Sequence, residues 1–138
     1  MCITKLLYRT TRFNDSYITY RRRRIRVQIA DTPRRMMLGL MHRERIGHNE
    51  GMLFMPGTES RHGIWMLNMR FSIDILWLSG NGTVVDMVEN AKPCASIFNC
   101  KTYRPARPCS FVLELASGGA ERLGIKRGAV LDLKCQNI

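Results

Sequence analysis

No stretch of the chain approaches the roughly 18 consecutive apolar residues that a membrane-crossing helix needs. Residues 1–15 carry Arg9, Arg12 and Asp15 where a secretory signal would place an apolar segment, so a cytoplasmic location is the expectation. Catalytic spacings are missing too. His42, His48 and His62 form no His-x-x-x-His pair and no Gly-x-Ser-x-Gly occurs, so neither a zinc protease nor a serine hydrolase is suggested. There is no glycine-rich phosphate loop and no internal repeat; Gly118-Gly119 reads as a turn or a small anion site ahead of a short helix. The five cysteines (Cys2, Cys94, Cys100, Cys109, Cys135) are an odd set without an export signal, which makes reduced thiols the first expectation rather than a disulfide framework.

What is present is an ordinary globular composition. At 138 residues, with 45% hydrophobic and 24% charged residues, the chain can bury one core without help from metals or cross-links. The net charge of +11 is unevenly spread: residues 1–26 hold eight of the 22 Lys and Arg against Asp15 alone. Residues 1–24 therefore read as a basic arm or short hairpin, and residues 25–138 as a single domain expected to be monomeric. The run Arg21, Arg22, Arg23, Arg24 can attract nucleic acid or another anionic surface, or it can be a solvated face.

Along the chain, residues 3–8 and 16–20 favour β structure. Residues 25–29 alternate, with Ile25, Val27 and Ile29 on one side, as a half-buried strand does. Asp31-Thr32-Pro33 supplies a helix start, and Met36, Met37, Leu40 and Met41 recur at helical spacing toward a core, with the helix ending by Arg45. Gly39 within that helix marks close contact with another element. Residues 52–55, 64–67 and 73–79 read as strands, the last covered on both faces. Gly80-Asn81-Gly82 turns it into a hairpin with residues 83–89. Residues 90–108 form a long loop with three prolines and two cysteines, with a third, Cys109, directly after it, and strands at 111–115 and 130–134 flank a helix ending at Gly124.

Several linked motifs carry a resemblance: Gly39-Leu40-Met41 with Arg43, Gly51-Met52-Leu53-Phe54, Trp65-Met66 with Asn68, Ile73-Asp74-Ile75, Pro93-Cys94, Cys100 with Thr102-Tyr103, and Val112-Leu113-Glu114. In order and spacing, residues 27–133 resemble the uncharacterised family known as domain of unknown function 192 (DUF192, also UPF0127). The resemblance implies a mainly β (α+β) fold, with a compact, barrel-like or strongly bent antiparallel or mixed sheet and one or two short helices. It implies no known activity, and any cofactor is unknown. Where the family has Lys-Asn-Thr this chain has Leu67-Asn68-Met69, Ser72 replaces a proline, and Gly128-Ala129 replaces Gly-Asp. The family pattern has cysteines at both 94 and 100, which brings a loop-closing disulfide in beside the reduced state. A metal site with Cys109 as third ligand and a nucleophilic cysteine are further readings.

Asn68 and Asp74 are polar residues in apolar sequence, and each costs about 1 to 3 kcal/mol if buried without a partner. Backbone amides or Arg70 would make them structural; a pocket between them would make them ligand contacts or acid/base groups. The expected site is a cleft walled by Trp65, Asn68, Asp74 and Tyr103, binding an unknown small ligand without catalysis. The alternatives are an enzyme using Asp74 or a loop cysteine, and nucleic-acid binding through the basic arm.

Overall fold

A computed structural model describes residues 3–133. Cys2, Cys135 and the end of the strand expected at 130–134 lie outside the described residues.

The chain runs α1 (Ile3–Thr10), β1 (Asn14–Tyr20), β2 (Arg23–Ala30), α2 (Pro33–Leu38), β3 (Glu50–Phe54), β4 (Ile64–Trp65), β5 (Ile73–Leu78), β6 (Val84–Ala91), a 3-10 turn (Ile97–Asn99), β7 (Thr102–Tyr103), β8 (Phe111–Ala116) and α3 (Gly119–Leu123). Six strands form one mixed sheet in the order β1-β2-β3-β8-β5-β6, and β4 and β7 form a separate ribbon. Only the β2–β3 pair in the large sheet is parallel. The expected mainly β, mixed-sheet fold is thus present. The sheet is open, and the segment after α3 makes single bridges toward both of its edges, Val130 to Thr83 and Asp132 to Thr19.

Residues 3–8 were expected to favour β structure, and they lie in the helix Ile3–Thr10. Ile3, Leu6, Leu7 and Thr10 recur at the i, i+3, i+4, i+7 spacing of a helix, and the Thr10 hydroxyl closes the last turn onto the Leu6 carbonyl at 3.2 Å. This helix brings the total to three instead of one or two. Residues 14–20 join the sheet, with Ile18 and Tyr20 in the core, and the expected division between residues 24 and 25 falls within β2. Arg21 and Arg22 make the hairpin turn, both with positive φ (47° and 65°).

The α2 start follows the sequence: the Thr32 hydroxyl accepts from Arg35 N at 3.2 Å, and Pro33 opens the helix. Its end does not. The helix stops at Leu38, because Gly39 takes φ 49° and donates back to the Arg35 carbonyl. Leu38 faces the core, and Met37, expected to face it, is exposed. Gly39 does mark a close approach, since a Cβ there would lie 3.0 Å from Phe54 Cζ.

Strand alternation divides the core between the two faces of the sheet. Leu53, Leu76, Leu78, Leu113 and Leu115 lie on the face covered by α3, with Ala120, Leu123 and Ile125. Met52, Phe54, Ile75, Trp77 and Val112 lie on the other, with Leu40 and Met66. β5 is buried at every position, as expected. At the β5–β6 turn, Gly82 (φ 88°) touches the bridging segment so closely that a Cβ would sit 2.1 Å from the Leu131 carbonyl oxygen.

The long loop is pinned rather than free. Asp86 accepts from Ala106 N at 2.8 Å and from Arg127 Nε at 2.9 Å, and Arg61 Nε donates to the Pro105 carbonyl at 2.7 Å.

Candidate functional site

Asp74 sits on the α3 face of β5 and is fully buried. Its Oδ1 accepts from Asn90 N at 2.9 Å and its Oδ2 from Ala120 N at 3.0 Å. The second bond caps the first turn of α3, whose own N-cap, Gly118, has no side chain to offer. The first pins β6 where the β5–β6 register shifts between Ile73 and Ile75 and where Asn90 takes φ 55°. The anion at the Gly118-Gly119 helix start is therefore the chain's own carboxylate. Its partners are backbone amides, not Arg70, and the side chain is sealed from solvent.

The opposite face holds a different carboxyl. Glu114 follows Val112 in the alternation of β8 and pairs across the sheet with Met52 and Ile75. Its side chain is 4% exposed and lines a cavity of about 150 Å³. The walls are Met36, Met41, Phe54, Ile64, Trp65 and Met69. Among the described residues none donates a hydrogen bond to this carboxyl. Burial pushes Glu114 up to about 8, with the charge of Arg43 pulling the other way. Glu114 stood inside one of the sequence motifs but was not singled out. Its signal was the one that drew attention to Asp74, a lone carboxylate in an apolar strand.

The expected site residues are not brought together. Trp65 lines the Glu114 pocket with 42% of its surface exposed. Tyr103 pairs with Ile64 in the β4–β7 ribbon but lines a separate hollow with Met66, Lys92, Cys94 and Lys101. Asn68 turns toward α1, its Nδ2 3.4 Å from Thr4 Oγ1, and its carbonyl accepts from His42 N at 2.9 Å. Asp74 lies on the far face of the sheet.

Cys94 and Cys100 are joined by a disulfide across a separation of six residues. Bonded to each other, they are not available as thiolate ligands with Cys109, and no group of three or more His, Cys, Asp or Glu among the described residues could hold a metal. Cys109 is buried, and burial pushes its thiol up, which disfavours the nucleophilic thiolate.

The profile of DUF192, described as "Uncharacterized ACR", matches residues 17–133. The chain belongs to the DUF192 family. A UPF0127 protein of Pyrococcus furiosus is 32% identical over 114 residues, spanning 79% of this chain and 87% of that one. Two solved structures share the fold. One, from Sinorhizobium meliloti, is described as a proposed transcription regulator; it has a TM-score of 0.80 at 28% identity, covering 88% of this chain and 95% of that one. The other, a protein of unknown function from Novosphingobium aromaticivorans, has a TM-score of 0.75 at 30% identity, covering 86% and 83%. The DUF192 family is uncharacterised, so membership fixes the fold and leaves the activity to be argued from the site. In this DUF192 chain the substituted Met69 forms part of the Glu114 pocket wall, and the Ser72 carbonyl accepts from Ser117 N at 3.2 Å.

Proposed function

We propose that this chain is a non-catalytic binding domain for a small ligand, with the pocket between Trp65 and Glu114 as its site. One observation carries the reading: a buried carboxyl, without a hydrogen-bond donor among the described residues, lines a cavity whose other side chains are methionine, aliphatic and aromatic. An unpaired buried carboxyl is costly, and a ligand group is the partner that would satisfy it. A cavity of about 150 Å³ matches the space that takes one benzene-sized molecule. The ligand class is accordingly a compact apolar group bearing one hydrogen-bonding nitrogen or oxygen. Methionine thioethers adapt to its shape, and Trp65 supplies a flat face.

The test is a titration of the intact protein with benzylamine and hexylamine, followed by tryptophan fluorescence. Trp77 is fully buried, so the exposed Trp65 dominates any change. Saturable quenching that is lost in Glu114→Leu supports the site; quenching equal in both proteins rules it out.

A second reading is nucleic-acid or anionic-surface binding through Arg21, Arg22, Arg23 and Arg24. All four are exposed, Arg21 and Arg22 on the β1–β2 turn and Arg23 and Arg24 at the start of β2, with Arg24 stacked 4.3 Å above the Tyr17 ring. The description of the Sinorhizobium meliloti relative as a proposed transcription regulator favours testing it. Affinity for single-stranded DNA should fall linearly in log–log terms with salt and vanish in Arg21→Gln/Arg22→Gln/Arg24→Gln. No helix among the described residues is long and apolar enough to cross a membrane. We further propose a monomer in the cytoplasm, a location in which the Cys94–Cys100 pair would meet reducing conditions.

A further inference from the structure

The turn that follows α2 rests on two non-glycine residues in left-handed backbone, His42 (φ 66°) and Asn68 (φ 60°). They are joined directly, His42 N donating to the Asn68 carbonyl at 2.9 Å. Both side chains also meet α1 at one atom, Thr4 Oγ1, His42 Nε2 at 2.9 Å and Asn68 Nδ2 at 3.4 Å. Left-handed non-glycine residues are uncommon and concentrate at binding sites. Here they fix α1 against residues 42–45 and leave a concavity of about 420 Å³ between them.

The charge in that concavity is of one sign. Lys5 and Arg9 enter from α1, Arg43 and Arg45 from the turn, and Arg70 from the loop after β4, against a single carboxylate, Glu44. Among the described residues none of the five cations forms an ion pair; the three ion pairs present use Arg26, Arg35 and Arg127. Arg43 is half-buried and feels Glu50 and Glu114 only at a distance. His42 reports the local field: its pKa is lowered first by burial and then by Arg70 and Lys5. Tyr8 closes the rim, its ring tilted against His42 with centroids 6.1 Å apart. The five cations line one hollow of small-molecule size, four of them exposed and Arg43 lying 5.3 Å over the Phe13 ring.

We propose that this basin binds a small oligophosphate-bearing molecule. Guanidinium forks pair with phosphate oxygens two at a time, and five cations against one carboxylate match an anion of three to four charges. The site is separate from the Glu114 pocket, with which it shares no lining residue, and from the Arg21–Arg24 turn.

Inorganic triphosphate is the probe. The full chain is titrated calorimetrically at near-physiological salt while the ring resonances of His42, His48 and His62 are followed through pH. The expected result is saturable one-to-one binding that raises the His42 midpoint by about half a unit or more and leaves the other two histidines in place, because the bound anion offsets the repulsion from Lys5 and Arg70. Lys5→Gln/Arg70→Gln and, separately, Arg45→Gln should each weaken binding, the double variant by about tenfold or more. Arg21→Gln/Arg22→Gln should leave the affinity unchanged. Binding that fails to saturate, that leaves His42 unmoved, or that is lost on the Arg21/Arg22 change and kept on the Lys5/Arg70 change would overturn the proposal.

Discussion

Asp74 and Glu114 lie one step apart in the register of β5 and β8, where Asp74 pairs with Leu115 and Ile75 with Glu114, and their carboxyls leave the sheet on opposite faces. One is consumed by the chain's own amides, and the other faces a cavity. Two carboxylates that look alike in sequence therefore do different work, and they respond differently to substitution.

Removing Asp74 should damage the fold and spare the pocket. Asp74→Ala leaves the buried amide of Ala120 and the part-buried amide of Asn90 without their acceptor, at a cost of about 1 to 3 kcal/mol. Urea denaturation measures the loss, and tryptophan titration of the still-folded fraction should show an unchanged ligand affinity. A loss below about 1 kcal/mol would contradict the capping role.

Glu114 should make stability depend on pH in the opposite sense to a salt-bridged carboxylate. Its folded value, about 8, stands above the ordinary 4.5, so the folded state keeps a proton that the unfolded chain releases. Stability from this group is complete below about 4.5 and is lost as pH rises toward about 8. Glu114→Gln removes that dependence. Relative to the parent, the variant should gain stability between pH 5 and pH 8, on the order of a few kcal/mol at the upper end. Denaturation midpoints at the two pH values decide it, and a constant difference would refute the assignment.

The disulfide closes a short loop, so its contribution is modest. Cys100→Ser should cost about 2 kcal/mol by the chain-entropy relation. Peptide mapping of the unreduced, denatured protein should recover Cys94 and Cys100 as one linked pair and Cys109 as a reactive thiol, with the linked pair lost on reduction.

Gly39→Ala tests the junction that ends α2 and lines the pocket. The new Cβ would stand 3.0 Å from the Phe54 ring at a positive φ, and both effects are unfavourable. A loss of about 1 to 3 kcal/mol is expected, together with weaker binding of the amine probes, since Phe54 forms part of the same wall.

Most of the β-strands were legible because their causes are local, whereas β7 falls within residues read as loop. Alternation places Ile25, Val27 and Ile29 on one side, and Gly80-Asn81-Gly82 permits the turn that unites β5 and β6. Thr32 and Pro33 start α2 for reasons written within four residues. Membership of DUF192 was legible too, since linked motifs spread over most of the chain are individually short but jointly specific. Residues 3–8 were misread because a short segment mixing Ile, Leu and Thr satisfies both periods, and docking through Thr4 onto His42 and Asn68 settles the helical one.

The sequence by itself determined that Asp74 and Glu114 are carboxylates embedded in apolar strands, each in need of a partner. Which partner each finds was decided only by the tertiary structure. Alternation assigns a side chain to a face of the sheet but does not say what covers that face. The buried amide that satisfies Asp74 belongs to a helix 46 residues away, and the space beside Glu114 is bounded by the end of α2 at Gly39 and by Ile64 and Trp65 of β4. Burial and hydrogen bonding are set by such long-range packing, so chemically equivalent side chains become a structural cap in one case and the floor of a pocket in the other.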